Sequence, residues 1–156
     1  MCSQGIVDDC SELIINCRSL MLATTSDNSS HCSYVPFIWV NGKVYILVSA
    51  LAEHTGNLKS ANKNKIGCML IEDESVSSQI FARRRLMFKS RIYQIERTSK
   101  RWPELIDLFK QRFGEIVELL NSLPDFVIFE LEPEHAVLVK GFGDAHKLGK
   151  EILKLY

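Results

Sequence analysis

Cys32-Ser33-Tyr34-Val35-Pro36-Phe37-Ile38-Trp39-Val40, followed by Asn41-Gly42 and then Lys43-Val44-Tyr45-Ile46-Leu47-Val48, is the stretch that decides the fold. Asn-Gly between two β-rich runs suits the two-residue type I′ turn, so two antiparallel strands are predicted at 32–40 and 43–48. Pro36 has no N–H to give to a ladder, which places its strand at an edge or at a bulge. Irregularities of that kind are common on barrel rims.

Upstream, Ile6, Val7, Cys10, Leu13, Ile14, Cys17 and Leu20 recur at helical spacing and predict an amphipathic helix over 6–20. Met21 to Thr25 reads as a strand closed by the turn formers Ser26 to Ser30. Downstream, a short helix over 52–61 and a buried strand over 65–72 are predicted. Arg85 to Glu96 reads as a long strand whose apolar phase changes between Ile92 and Tyr93, which suggests a bulge or strong bend. Trp102 to Leu123 returns to helical period, with Pro103 in its first turn and Gly114 dividing it. Phe126 to Leu131 and His135 to Val139 read as two strands joined by a turn at Glu132-Pro133-Glu134, and residues 148–156 as a tail. Short connections between antiparallel strands favour a small barrel with flanking helices over a doubly wound sheet. No glycine-rich nucleotide fingerprint occurs.

Bulk properties narrow the function. The 156 residues fit a single domain, 1–156, and 46% hydrophobic against 24% charged residues is an ordinary globular balance. Nineteen Lys and Arg offset nineteen Asp and Glu, so nothing favours nucleic acid or an anionic membrane as partner. Met1 to Cys10 carries Asp8 and Asp9 and lacks the pattern of a secretory leader, and no apolar run is long enough to span a bilayer. A cytoplasmic protein is expected. Cysteines 2, 10, 17, 32 and 68 are odd in number and form no C-x-x-C pair, so they read as reduced, packed thiols.

Several blocks stand in a particular order: Ser49-Ala50-Leu51-Ala52-Glu53-His54-Thr55-Gly56-Asn57-Leu58, Ile71-Glu72-Asp73-Glu74, Phe81-Ala82-Arg83-Arg84-Arg85-Leu86, Arg112-Phe113-Gly114, Asp125-Phe126 and Gly141-Phe142-Gly143-Asp144-Ala145. Together they resemble the haem-utilisation proteins of HugZ/HutZ type, within the pyridoxamine 5′-phosphate oxidase-like split barrels, over roughly residues 10 to 147. The resemblance implies a mainly β, six-stranded antiparallel split barrel, about 21–147, working as a homodimer with cofactor sites in the clefts between protomers. It implies haem as cofactor or substrate, with oxygen-dependent haem degradation in some relatives. FMN, bound by oxidoreductases of the wider superfamily, is the alternative, and a non-catalytic haem carrier is a third reading.

The candidate site residues follow from that frame. Alternation along a strand would send Arg83 and Arg85 to one face and Arg84 to the other, where two planar guanidinium forks suit haem propionates or a flavin phosphate; a solvated strand end is the plain alternative. His54, in a helix's first turn, could ligate iron, donate to a propionate or cap the helix. Asn57 and Lys59, on the same helix, are candidates for either cofactor because the comparable region of flavin-binding relatives holds phosphate. Asp125 matches an aspartate that orients the iron-ligating histidine across the dimer interface in haem-degrading relatives, a task a carboxylate performs by accepting the ring N–H; a turn residue is its other reading. In relatives the proximal histidine follows the Gly-Phe-Gly block, and His146 is the histidine found after that block here, so it is the candidate for iron. His31 and His135 have no acidic or thiol partner at ligand spacing and read as structural.

Overall fold

The structure, a computed structural model, describes residues 3–61 and 65–156. Cys2 lies outside the described residues. Helix α1 (Gln4–Asn16) precedes β1 (Ser19–Ser26), β2 (Ser29–Val40) and β3 (Lys43–Ser49). Helix α2 (Glu53–Ser60), β4 (Ile66–Ile71) and β5 (Arg85–Ile95) follow, then α3 (Arg101–Phe113) and α4 (Ile116–Ser122), and finally β6 (Phe126–Gly141), β7 (Asp144–Leu148) and α5 (Lys150–Leu153).

All ladders are antiparallel, in the order β3-β2-β1-β4-β5-β6, and β6 returns to pair with β3, which closes a six-stranded barrel. β7 adds to the far half of β6 outside the ring. The deciding hairpin has the expected turn: Val40 pairs with Lys43, and both Asn41 (φ 52°) and Gly42 (φ 77°) are left-handed. Pro36 pairs with Ser19 on one side only, because the ladder to β3 begins at Phe37. Asp27 and Asn28 make a second turn of the same kind between β1 and β2.

Alternation along the strands buries Leu20, Leu22, Val35, Phe37, Ile46, Leu70, Leu86, Phe129 and Leu138 inside the barrel, where α1 and the C-terminal segment add Leu13, Ile14, Ile152 and Leu153. A second core lies outside the ring: Ile38, Tyr45, Ile95 and Ile128 are covered by Trp102, Leu105, Ile106 and Phe109 of α3. The phase change in β5 therefore marks Ile95 turning to this second core, and no bulge is needed at that point. Gly114, at φ 84°, separates α3 from α4 as expected.

Three expectations need correction. Residues 126–141 form one strand and not two, for Pro133 stays in the ladder opposite Ser90. The β3 ladder ends at Leu131 and the β7 ladder begins at Ala136, so the missing N–H of Pro133 has no strand to face. The supposed tail contains the end of β7 and helix α5, and it packs on the hairpin: Trp39 Nε1 donates to the Leu153 carbonyl at 3.3 Å and the Gly42 N–H to the Tyr156 carbonyl at 2.6 Å. The first helix ends at Asn16, since Leu20 already belongs to β1.

Candidate functional site: a methionine face and its margins

The outer face of the barrel, away from the helix-covered second core, is open. Along the first half of β5 the buried side chains are Leu86, Phe88 and Ser90, so Arg85, Met87 and Lys89 point outward. Met87 pairs with Met69 and Val137, and Met69 pairs with Met21, which pairs in turn with Tyr34. These side chains line a groove of about 710 Å³ together with Lys89 and His135. Met21 (49% exposed) and Tyr34 (69%) leave it without an outer wall. Thioethers adapt readily to a partner's shape, which suits such a face to binding.

His135 reaches this groove through an irregularity in the sheet. Lys89 opposes Glu134 and Met87 opposes Val137, so Phe88 alone faces two residues, His135 and Ala136. The extra residue makes a β-bulge, and His135 takes φ 50° there. Its neighbour Glu134 is buried and anchors the strand through Lys65 (2.6 Å), Arg91 (3.1 Å) and Lys150 (3.3 Å), with Lys65 foremost in holding its carboxyl down to about 2. His135 itself is exposed and makes no hydrogen bond or ion pair among the described residues.

The arginine run divides differently from the strand expectation, because β5 begins only at Arg85. Arg83 is committed to the Glu72 carbonyl and to Glu74 at 3.3 Å. Arg84 binds Glu72 (3.0 Å), Asp9 (3.0 Å) and Glu12 (2.8 Å) and so fastens α1 to the barrel. Among the described residues Arg85 gives one bond, from Nη1 to the Arg83 carbonyl at 3.1 Å, and it stands one register row beyond the groove on the same face.

Asp125, His54, Asn57 and Lys59 gather at the opposite end of the barrel. Ser49 Oγ donates to Asp125 Oδ2 at 2.8 Å, and the Ala50 N–H donates to the Asp125 carbonyl at 2.7 Å. Thr55 Oγ1 donates to the Ser49 carbonyl at 2.6 Å, which ties the first turn of α2, with half-buried His54, to the same point. Burial first, and the neighbouring His31 second, lower the pKa of His54. Asn57 is buried with its amide donating to Thr24 Oγ1 at 3.0 Å, whereas Lys59 is exposed. Thr24 is one residue beyond the row that joins Ala23, Gly67 and Lys89, so this end and Arg85 are about five residues, roughly 16 Å, apart along the strands.

His146 belongs to the arginine end but not to the groove. It pairs with the buried Leu138, so alternation turns it away from Val137 and Ala145, and its Nε2 lies 2.5 Å from Asp144 Oδ1. Asp144 is a residue that the sequence reading passed over, though a carboxylate and a histidine two apart on a strand share a face. Arg112 was also passed over. Its Nη2 donates to the carbonyls of Cys17 (2.6 Å) and Ile14 (3.1 Å), and its guanidinium lies 5.0 Å from the Phe37 ring centroid, so it caps α1. Burial foremost, with Arg18 nearby, lowers its pKa.

The chain is thus a closed split barrel with an open, cation-edged apolar face, and similarity to known proteins narrows its class. The family model described as pyridoxamine 5′-phosphate oxidase matches residues 6–140, and the chain belongs to that family. It is 37% identical over 137 residues, 87% of this chain and 77% of the relative, to the heme oxygenase HutZ of Vibrio cholerae serotype O1. The crystal structure of Vibrio cholerae HutZ, there called a heme storage protein, superposes with a TM-score of 0.80 at 34% identity, covering 86% of this chain and 94% of that one. Campylobacter jejuni ChuZ superposes at 0.85 with 31% identity over 95% of this chain, which spans 61% of ChuZ. Among the described residues, no helix is long and apolar enough to cross a membrane.

Proposed function

We propose that this protein binds haem in haem utilisation, as a cytoplasmic homodimer that holds the macrocycle against the methionine face between two copies of the chain. The observation that carries the reading is the pairing of that face with Arg85: an apolar floor of about 710 Å³ beside a guanidinium with free donors. These residues fit haem, whose ring is flat and apolar and whose propionates suit a guanidinium fork. HutZ, named a heme oxygenase at 37% identity and called a heme storage protein in its crystal structure at 34%, favours the same ligand.

The missing outer wall calls for the second copy. In one chain Arg85 and Asp125 stand at opposite ends of the barrel, so each protomer offers two half-sites and a twofold partner brings His54, Lys59 and Asp125 to the arginine end. Ser49 holds one oxygen of Asp125 and leaves the other available to orient a ligand imidazole. His146, steadied by Asp144, stands at the same end but on the other side of the sheet from the groove. Bound haem would supply iron for the reductive activation of dioxygen; the protein's part is to orient it, exclude water and position protons. For FMN, the Asn57 amide expected at the phosphate is already committed to Thr24.

The test is a haemin titration of the apo-protein followed by absorption, with FMN run in parallel. A saturable Soret band near one haem per protomer is expected, and FMN uptake without such a band would overturn the reading. Adding ascorbate in air then separates degradation, in which the Soret band decays, from storage, in which it persists.

A further inference from the structure

We propose that Arg97 is a positioning residue for Asp125, an inference that rests on the haem-binding reading and goes beyond it by naming what aims that carboxylate. Asp125 is the third residue of a turn, Leu123-Pro124-Asp125-Phe126, that joins α4 to β6. Proline suits the turn's second place, but the closing bond, from the Phe126 N–H to the Leu123 carbonyl, is long at 3.4 Å. Arg97 reinforces it. Its Nη1 donates to the carbonyls of both end residues, Leu123 at 3.2 Å and Phe126 at 3.1 Å, and its Nη2 donates to the Asn121 carbonyl. A side chain that only capped α4 would stop at the helix carbonyls, whereas the bond to Phe126 lies past the turn, on the strand.

The guanidinium is itself held in place. It lies 4.9 Å from the Trp102 ring centroid, and Trp102 Nε1 donates to Asn121 Oδ1 at 2.8 Å. With the backbone of the turn fixed, Ser49 sets the side chain. The Leu51 N–H donates to Ser49 Oγ at 3.2 Å, which directs the hydroxyl hydrogen at Asp125 Oδ2, 2.8 Å away. Oδ1 accepts no bond among the described residues and stays open to the ring N–H of a ligand imidazole. A carboxylate that accepts this N–H makes the imidazole more electron-rich, and the iron–histidine stretch of the ferrous protein reports it. Among the described residues every hydrogen bond from Arg97 goes to a main-chain carbonyl, so its influence on that stretch passes through Asp125.

The experiment compares wild type, Arg97→Ala, Arg97→Lys, Asp125→Asn and the double variant Arg97→Ala with Asp125→Asn. In the apo-protein the Ala50 N–H, which bonds the Asp125 carbonyl at 2.7 Å, should exchange its hydrogen at least about tenfold faster in Arg97→Ala than in wild type. With haem bound, resonance Raman should show the ferrous iron–histidine stretch at lower frequency in Asp125→Asn and at an intermediate frequency in Arg97→Ala. Arg97→Lys should restore part of both losses, because an ammonium can also donate to two carbonyls. The double variant should match Asp125→Asn, since two residues that act through one carboxylate are not additive. An Ala50 exchange rate or an iron–histidine stretch in Arg97→Ala equal to that of wild type would overturn the proposal, as would a further shift in the double variant. Absence of a saturable Soret band in wild type, or an unchanged stretch in Asp125→Asn, would instead overturn the reading on which it rests.

Discussion

Arg84 Nη1 lies 3.0 Å from Asp9 Oδ1, a bond that joins the entrance of β5 to the first helix. The same guanidinium holds Glu12 and Glu72, and Lys140 reaches Asp9 from the end of β6 at 2.7 Å. The central member of the arginine run is therefore a fastener for α1, which supplies Leu13 and Ile14 to the barrel core.

Replacing Arg84 with alanine should lower stability by about 2 kcal/mol, since three charged partners lose their donor at a half-buried place. Arg84→Lys should recover only part of this, because a single ammonium cannot span the three carboxylates. Urea unfolding would measure both. Haem affinity per folded molecule should stay at the wild-type value.

Arg85→Ala should do the reverse. Among the described residues its guanidinium gives a single bond, to a backbone carbonyl, so stability should change by about 0.5 kcal/mol or less. Losing a charge-assisted contact to a propionate should weaken haem binding by about tenfold. Haemin titration of Arg84→Ala and Arg85→Ala side by side separates the two roles.

How much of this could be read from the chain differs by element. Asn41-Gly42 specified its turn because the demand for positive φ is local, and Gly114 divided its helix for a similar reason. The Glu132-Pro133-Glu134 turn was misread because proline's effect on a strand depends on whether a neighbour faces its missing N–H, and that is a property of the sheet. The arginine alternation failed because the strand starts two residues later than the run. The haem-family blocks led to the correct barrel and family, yet their meaning was mixed: Arg112 caps a helix and Asn57 binds Thr24. His135 had no signal in the sequence, since its exposure comes from a register shift between β5 and β6, whereas Asp144 could have been found from its two-residue spacing to His146.

Acid should weaken the bulge through Glu134. Its carboxyl is lowered from an ordinary 4.5 to about 2, chiefly by Lys65, so protons prefer the unfolded chain. The stabilisation is complete above about pH 4.5 and is lost as pH falls toward about 2. Glu134→Gln should lack this contribution, so its deficit in urea midpoint should be large near neutrality and shrink in acid. Equal deficits at about pH 7 and about pH 3 would show that the ion cluster does not hold the strand.

Met21→Glu should break the dimer without unfolding the chain. The side chain is 49% exposed, so a single protomer tolerates a carboxylate there, while an apolar interface would have to bury an unpaired charge. Sedimentation should report a monomer with a near-normal melting temperature. Haem binding should fall with it, because the cleft loses its second wall. A dimer that survives the substitution would place the subunit contact elsewhere.

Gly42→Ala should release the C-terminal segment. At φ 77° an alanine is strained, and its Cβ would stand 2.9 Å from the Lys154 Cα, a backbone atom that cannot swing away. The same residue's N–H holds the Tyr156 carbonyl at 2.6 Å, so relieving the clash also loosens that bond. Ile152 and Leu153 lie in the barrel core, and Trp39 Nε1 depends on the Leu153 carbonyl, which couples the turn to packing well beyond it. The cost should exceed about 1 kcal/mol and lower the melting temperature by several degrees. Faster exchange of the Trp39 indole hydrogen should accompany the loss, and an unchanged exchange rate would mean that the segment stays seated by its apolar contacts alone.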